Sequence, residues 1–313
     1  MARQPLQIGF SLSREKLSAQ LTDEVSKENT MKYLITGANG YIGQGVVKTM
    51  LDLGAEVIAT DFHTDDVDAR AKRIDADIFT LEDPYGYFEK PDVVIHLAWR
   101  DGFRHASENH MKDLPHHYEF LEKMCRAGIR KLCVMGTMHE VGFMEGCIKA
   151  DTPCAPQSLY GIAKNALRQA TTLLCKETGV KLQWLRGYYI VGNAHKGCSI
   201  FSKLTAAAEA GDTTFPFTTG QNQFDFTDYD LFCEQVAKAS MQDEVLGIIE
   251  CCTGKPMKLA DRVEKFIEDN GYSISLAYGT FPDRPYDSKA VWGDNTKIDE
   301  ILKASPSGGS CHR

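Results

Sequence analysis

The segment Thr36-Gly37-Ala38-Asn39-Gly40-Tyr41-Ile42-Gly43 constrains this chain most, because its three glycines join an apolar β-like run to a helical pattern. Tyr33-Leu34-Ile35-Thr36 reads as a strand, and Ile42, Val46, Met50 and Leu53 recur along one helical face. Glu56-Val57-Ile58-Ala59-Thr60 supplies the next strand. Together they make one βαβ unit, in which bare backbone at a helix N-terminus can approach a pyrophosphate. A glycine cluster alone is an ordinary turn; the strand before it and the amphipathic helix after it point to a dinucleotide. Gly37, Asn39, Gly40, Tyr41, Ile42 and Gly43 are therefore the candidate cofactor loop.

The alternation continues through β-like runs at 74–79, 92–97, 131–135 and 182–185, separated by helical patterns. It predicts an α/β fold: a Rossmann-type doubly wound parallel sheet with helices on both faces. Beyond about residue 190 the pattern is mixed, with helices expected near 199–210, 228–242 and 258–270. We read this part as a smaller C-terminal mixed α/β substrate lobe closing over the carboxyl edge of the sheet, where ligands of such sheets bind. The expected division is a flexible leader or extension at 1–30, a dinucleotide-binding domain with the catalytic residues at 31–190, a mainly substrate-binding lobe at 191–303 and a disordered tail at 304–313.

Composition narrows the partners. A chain of 313 residues with 43% hydrophobic content can fill a sizeable core, and its formal charge of -8 argues against nucleic acid or an anionic membrane as ligand. An anionic ligand then needs a local site. No run approaches the roughly 20 apolar residues of a membrane span, and the first thirty residues lack the apolar core of a secretion signal, so a cytoplasmic protein is expected. The ten cysteines all lie from Cys125 onward without a CxxC pair, which suggests reduced core thiols and no metal site.

Asp61 closes the second strand, where a carboxylate can accept from both hydroxyls of an adenosine ribose and would repel a 2′-phosphate. This favours NAD, although Arg70, Lys72 and Arg73 follow closely enough to meet a phosphate. In Tyr160-Gly161-Ile162-Ala163-Lys164 a phenol and an ammonium stand four residues apart, on one face of a helix. A phenol of pKa about 10 is a weak base, but a neighbouring ammonium and a cationic nicotinamide both favour the phenolate. The pair is a tunable acid/base.

With these motifs the chain resembles the extended short-chain dehydrogenase/reductase family, in its NAD-dependent sugar-nucleotide epimerase/dehydratase branch, from Met31 to about Lys303. Asp77-Ile78 resembles the family's adenine-contacting pair, and His96-Leu97-Ala98 its fourth-strand signature, with Trp99 continuing that cofactor wall. Gly136-Thr137 stands where the family carries its catalytic Ser or Thr. The resemblance implies that Thr137 binds the reacting oxygen, Tyr160 exchanges its proton, and Lys164 holds the nicotinamide ribose and lowers the phenol's pKa.

The resemblance also implies a sugar-nucleotide substrate, through Phe224 to Asp230 and through Arg284-Pro285-Tyr286-Asp287 with Trp292 to Lys297. Two positions depart from it: Phe224 replaces a common arginine, and Tyr189 stands where relatives carry an asparagine. Arg100 and Arg104, after the fourth strand, are candidates to compensate, and Arg284, His139, Tyr189 and Asn193 complete the candidate substrate residues. The family's dehydratases place Asp-Glu directly after the catalytic Thr; Met138-His139-Glu140 departs from that pattern and disfavours elimination, with Glu140 one position displaced. Net oxidation or reduction at a sugar carbon is the leading expectation, with 4-epimerisation the alternative and a non-catalytic dinucleotide sensor the less favoured class. The helical stretches 105–127 and 157–176 correspond to the pair through which relatives form a homodimer.

Overall fold

The computed structural model describes residues 31–197, 199–282 and 288–304; the expected leader, most of the tail and Arg284 lie outside the described residues. The first half runs β1 (Lys32–Thr36), α1 (Gly43–Asp52), β2 (Glu56–Asp61), β3 (Lys72–Asp75), the single turn α2 (Pro84–Tyr87), β4 (Val93–His96), α3 (Asn109–Ala127) and β5 (Lys131–Thr137). Next come β6 (Gly146–Ile148), α4 (Leu159–Thr178), β7 (Lys181–Gly187), β8 (Tyr189–Val191), α5 (Ile200–Glu209) and β9 (Thr214–Pro216). The chain continues through β10 (Gln223–Asp228), α6 (Tyr229–Met241), β11 (Gly247–Cys251), β12 (Pro256–Lys258), α7 (Leu259–Asp269), β13 (Ser275–Ala277), β14 (Ala290–Gly293) and α8 (Thr296–Ala304).

Seven strands pair in the order β11-β7-β5-β4-β1-β2-β3, every pair parallel. Their sequences are continuous apolar runs because both faces are covered: Leu34, Ile35, Val93, Val94 and Ile95 are inaccessible to water. The order reverses between β1 and β4, and the register sets Thr36 against both Thr60 and His96. The exits of these strands therefore lie level, opening a crevice at the switch point.

The helices beside the crevice are well punctuated. Ser158 accepts from the Gly161 N–H at 3.1 Å to start α4, and Gly179 ends it at φ +74°. α3 packs along α4, on which Leu167, Leu174 and Cys175 are buried. Among the described residues no helix is long and apolar enough to cross a membrane, and the eight described cysteines are free thiols.

Two boundaries differ from expectation. The third strand is Lys72–Asp75 rather than 74–79, because the Asp77 carboxylate accepts from the Phe79 N–H at 3.0 Å and its carbonyl from Thr80 N–H at 3.2 Å, turning the chain away. The expected break near residue 190 is crossed in both directions. β11 joins the edge of the large sheet beside β7, while β6 pairs with β14 in a second sheet ordered β12-β10-β14-β6, with β8 on β10. The second sheet and its helices enclose an aromatic core of Phe201, Phe217, Phe224, Phe226 and Phe266.

Beneath β5, β7 and β11 lies a wholly buried ion triad. Arg186 reaches Glu250 through Nη1 at 2.7 Å and Glu140 through Nη2 at 3.3 Å, and the Tyr188 hydroxyl donates to Glu250 at 2.8 Å. Arg186→Met would leave Glu250 without its cation and Glu140 with the more distant Arg168 at 3.8 Å, and breaking such a buried pair costs about 3–5 kcal/mol. Urea unfolding should show a loss of that size with an unchanged m-value; a loss under about 1 kcal/mol would mean that the triad behaves like a surface pair.

Candidate active site

The glycine loop is defined by contacts that admit no side chain. Gly37 lies at φ +69°, and a Cβ there would stand 2.6 Å from the Ala98 nitrogen. A Cβ on Gly43 would stand 2.1 Å from the Gly37 carbonyl oxygen. Gly40 N–H donates back to that carbonyl at 3.1 Å, and Ala38 N–H donates to Thr60 at 3.1 Å. Ile42 precedes α1 and makes no capping hydrogen bond through its side chain, while in the first turn Gly45 N–H donates to the Tyr229 hydroxyl at 3.1 Å.

Asp61 buttresses the loop. Its two carboxylate oxygens accept from the Asn39 N–H at 3.0 Å and the Phe62 N–H at 2.8 Å. Each oxygen keeps a further lone pair for a ribose hydroxyl. Arg70 is paired with Asp68 and Asp52, and Lys72 with Glu89. Two of the three cations that could meet a 2′-phosphate thus already hold carboxylates. Asp77 is half-buried and Ile78 joins the core, while Leu97 N–H donates to Thr36 at 3.1 Å and carries the wall past Ala98 to Trp99.

Tyr41 faces the second half of the chain. Its hydroxyl donates to the Gly192 carbonyl at 2.8 Å, while its own carbonyl accepts from the Tyr229 hydroxyl at 2.7 Å and from Asn193 Nδ2 at 3.4 Å. Asn193, in a left-handed conformation at φ +45°, fastens the cofactor loop. Tyr229 does so too, and nothing in its local sequence announced that role.

Thr137 ends β5, Tyr160 opens α4, and Lys164 lies one turn further along. The buried Lys164 Nζ donates to the Met135 carbonyl at 2.8 Å and sits 3.9 Å from the centre of the Trp99 ring. Burial pushes its pKa down to about 7, against the pull of Glu140. Burial raises the Tyr160 phenol, while a hydrogen bond with Thr137 opposes that rise. Thr137, Tyr160 and Lys164 are thus gathered at the carboxyl edge of the sheet, beside the exit of β4.

Around them stands a layer of histidines, of which the sequence singles out His96 and His139 but not His105, His110 or His117. His105 stacks on Tyr160 with ring centres 5.1 Å apart and planes at 16°, and its carbonyl accepts the Tyr160 N–H at 3.0 Å. His139 meets His105 edge-on at 4.3 Å. Trp99 Nε1 donates to His110 Nδ1 at 3.0 Å, which fixes the His110 proton on Nε2, where it donates to the Arg104 carbonyl at 3.0 Å. His96 bridges Thr36 and His117, both at 2.9 Å. The one sequence signal was a density of histidine after β4.

The substrate residues divide. His139 adjoins Tyr160, with ring centres 6.2 Å apart. Arg100 is exposed and paired with Asp113; Arg104 is exposed and paired with Asp101, which also accepts from Ser107 and Asn109 at 2.7 Å. Both guanidiniums therefore organise their own loop and helix. Tyr189 packs on Phe224 at 4.5 Å and on Phe226 at 5.7 Å, within the second core. Glu140 is wholly buried and accepts from Thr137 N–H at 2.7 Å.

A family model described as the NAD dependent epimerase/dehydratase family matches residues 33–244. The dTDP-6-deoxy-L-talose 4-dehydrogenase (NAD(+)) of Aggregatibacter actinomycetemcomitans is 41% identical over 269 residues, covering 84% of this chain and 99% of that protein. A UDP-glucuronate 4-epimerase of Thermodesulfobacterium geofontis is 26% identical over 304 residues, covering 88% and 91%. Among solved structures, the UDP-glucose 4-epimerase of Thermotoga maritima with UDP-glucose superposes with a TM-score of 0.75 at 22% identity, over 86% of this chain and 92% of that one. The Bacillus cereus UDP-glucuronic acid 4-epimerase with UDP-glucuronic acid and NAD gives 0.74 at 21%, over 89% and 95%.

The histidine layer makes stability depend on pH. Burial lowers His96 from its ordinary 6.5 to about 3, so between these values the unfolded chain binds a proton that the folded protein refuses. The stability that His96 contributes in this way is complete above 6.5 and falls with acidification, by about 1.4 kcal/mol per pH unit. His96→Gln should lose less stability between about pH 6.5 and 4.5 than the parent in urea titrations. Equal losses would mean that His96 charges within the folded protein.

Proposed function

The chain belongs to the NAD dependent epimerase/dehydratase family, and from that premise we propose that it is an NAD-dependent oxidoreductase acting at a carbinol or keto carbon of a sugar nucleotide. The observation that carries this is the gathering of Thr137, Tyr160 and the buried Lys164 beside a glycine loop whose Gly37 and Gly43 have no room for a Cβ. The 41% identical relative, itself a 4-dehydrogenase by name, favours net redox chemistry at C4. The 4-epimerases among the relatives make epimerisation the alternative. Elimination is not supported, because the Glu140 carboxylate is held by Thr137 N–H, Trp184 and Arg186 in the interior.

The loop fits a dinucleotide: bare backbone at the start of α1 can meet the pyrophosphate, and Asp61 can take the adenosine ribose hydroxyls. When bound, NAD supplies the hydride acceptor or donor. The protein's own residues handle the proton. In oxidation Thr137 orients the substrate hydroxyl and Tyr160 accepts its proton as the C–H bond yields its hydride; in reduction Tyr160 returns the proton to the oxygen. The buried phenol is biased toward its protonated form, so the base form needs positive charge nearby. Lys164 provides one such charge and keeps two N–H donors, beyond the one given to Met135, for ribose hydroxyls.

The same reading includes His139 as a wall of the sugar pocket and a cytoplasmic homodimer formed through α3 and α4. Exposed Met111, Ile162 and Leu173 on those helices support the dimer. The test is Tyr160→Phe assayed with sugar nucleotides and their 4-keto derivatives, following NADH absorbance and identifying released ligands by mass spectrometry. The variant should keep NAD and lose about 10²–10⁴-fold in turnover; near-parental turnover would overturn the acid/base assignment. Stoichiometric NADH change means dehydrogenase or ketoreductase, whereas retained NAD with an altered sugar means 4-epimerase.

A further inference from the structure

Glu140 lies directly behind the catalytic surface. It ends the three-residue turn after β5, and that turn is closed by reciprocal bonds: Thr137 N–H donates to Glu140 Oε1 at 2.7 Å, and Thr137 Oγ1 accepts from His139 N–H at 3.3 Å. Trp184 Nε1 donates to both carboxylate oxygens, at 2.9 and 3.0 Å. Arg186 Nη2 approaches at 3.3 Å and Arg168 Nε at 3.8 Å. The carboxylate is wholly buried and oriented from four sides, and every one of these partners belongs to β5, its turn, α4 or β7.

We infer that Glu140 is a positioning residue for the reaction: it fixes Thr137 from beneath and holds a buried negative charge beside Tyr160 and Lys164. The inference rests on the redox reading of the site given above. Such a charge acts strongly because the medium around it is poorly polarisable. Both the phenol and the ammonium feel it, each raised by Glu140. The other groups facing Tyr160 are His105 and His110 after β4, His139 in the turn and Thr137 on β5. Those facing Glu140 are Arg168 on α4 and Arg186 on β7, with the Cys154 thiol as acceptor for both guanidiniums. Glu250, at the far end of Arg186, is not among the groups acting on Tyr160 or Lys164.

Three variants separate anchoring from charge. Glu140→Gln keeps an oxygen for Thr137 N–H and removes the charge, so that while Lys164 stays protonated the phenolate forms more readily, and Lys164 itself gives up its proton at lower pH. The rising limb of kcat/KM for substrate oxidation should move to lower pH by about half a unit or more. Glu140→Asp keeps the charge but shortens the reach to Thr137 N–H: kcat should fall about tenfold with KM and the limb unmoved. Glu250→Gln perturbs the same arginine and should leave the limb in place. Coincident limbs for Glu140→Gln and parent, or an equal shift from Glu250→Gln, would overturn the inference. NAD binding by each variant and the Tyr160→Phe rate report on the redox reading independently: a dead Tyr160→Phe with an unmoved Glu140→Gln limb leaves that reading standing and removes only this one.

Discussion

The approach of Gly37 to Ala98 is the contact on which the rest of the site depends. No Cβ fits between them, so the loop after β1 lies flat against the exit of β4. That closeness sets the loop beside Trp99, which in turn covers the Lys164 ammonium at 3.9 Å. The glycine loop and the Tyr160–Lys164 pair proposed as acid/base thus meet one wall, at the adjacent residues Ala98 and Trp99. The parallel register, which brings Thr36 level with Thr60 and His96, makes this approach possible.

Behind the wall the protein places polar groups where most sheets place aliphatic ones. His96, His117, Glu140, Arg186 and Glu250 are all buried, and each has a partner. Buried charge is a poor source of stability, but a buried network in which nearly every group is bonded, Arg186 Nε being an exception, strongly restricts how its members can be arranged. The apolar clusters on either side supply the folding energy. The polar layer specifies where Thr137, Trp99 and α4 must stand.

What the sequence made legible follows local geometry. The glycine loop could be found because only glycine tolerates those contacts, and Tyr160 with Lys164 because a helix repeats every 3.6 residues. The early end of β3 was hidden in the side chain of Asp77, which competes for its own backbone. The pairing of β6 with β14 and of β11 with β7 joins segments far apart in sequence, and no local pattern records such a choice. Arg100 and Arg104 stood as candidates for a diphosphate, and their pairing with Asp113 and Asp101 is assigned by folding. Tyr229 and the stacked His105 were missed for the same reason: their roles exist only in three dimensions.

The stacking of Tyr189 on Phe224 has an evolutionary corollary. These are the two positions where the family resemblance places an asparagine and an arginine. Here they form one aromatic pair, Phe224 in the second core and the half-buried Tyr189 against it, so the two positions are coupled: a solitary arginine at 224 would enter a pocket of rings, and a solitary asparagine at 189 would uncover Phe224. A change at either position therefore alters the cost of a change at the other. Libraries that recode this lobe should vary the two codons together.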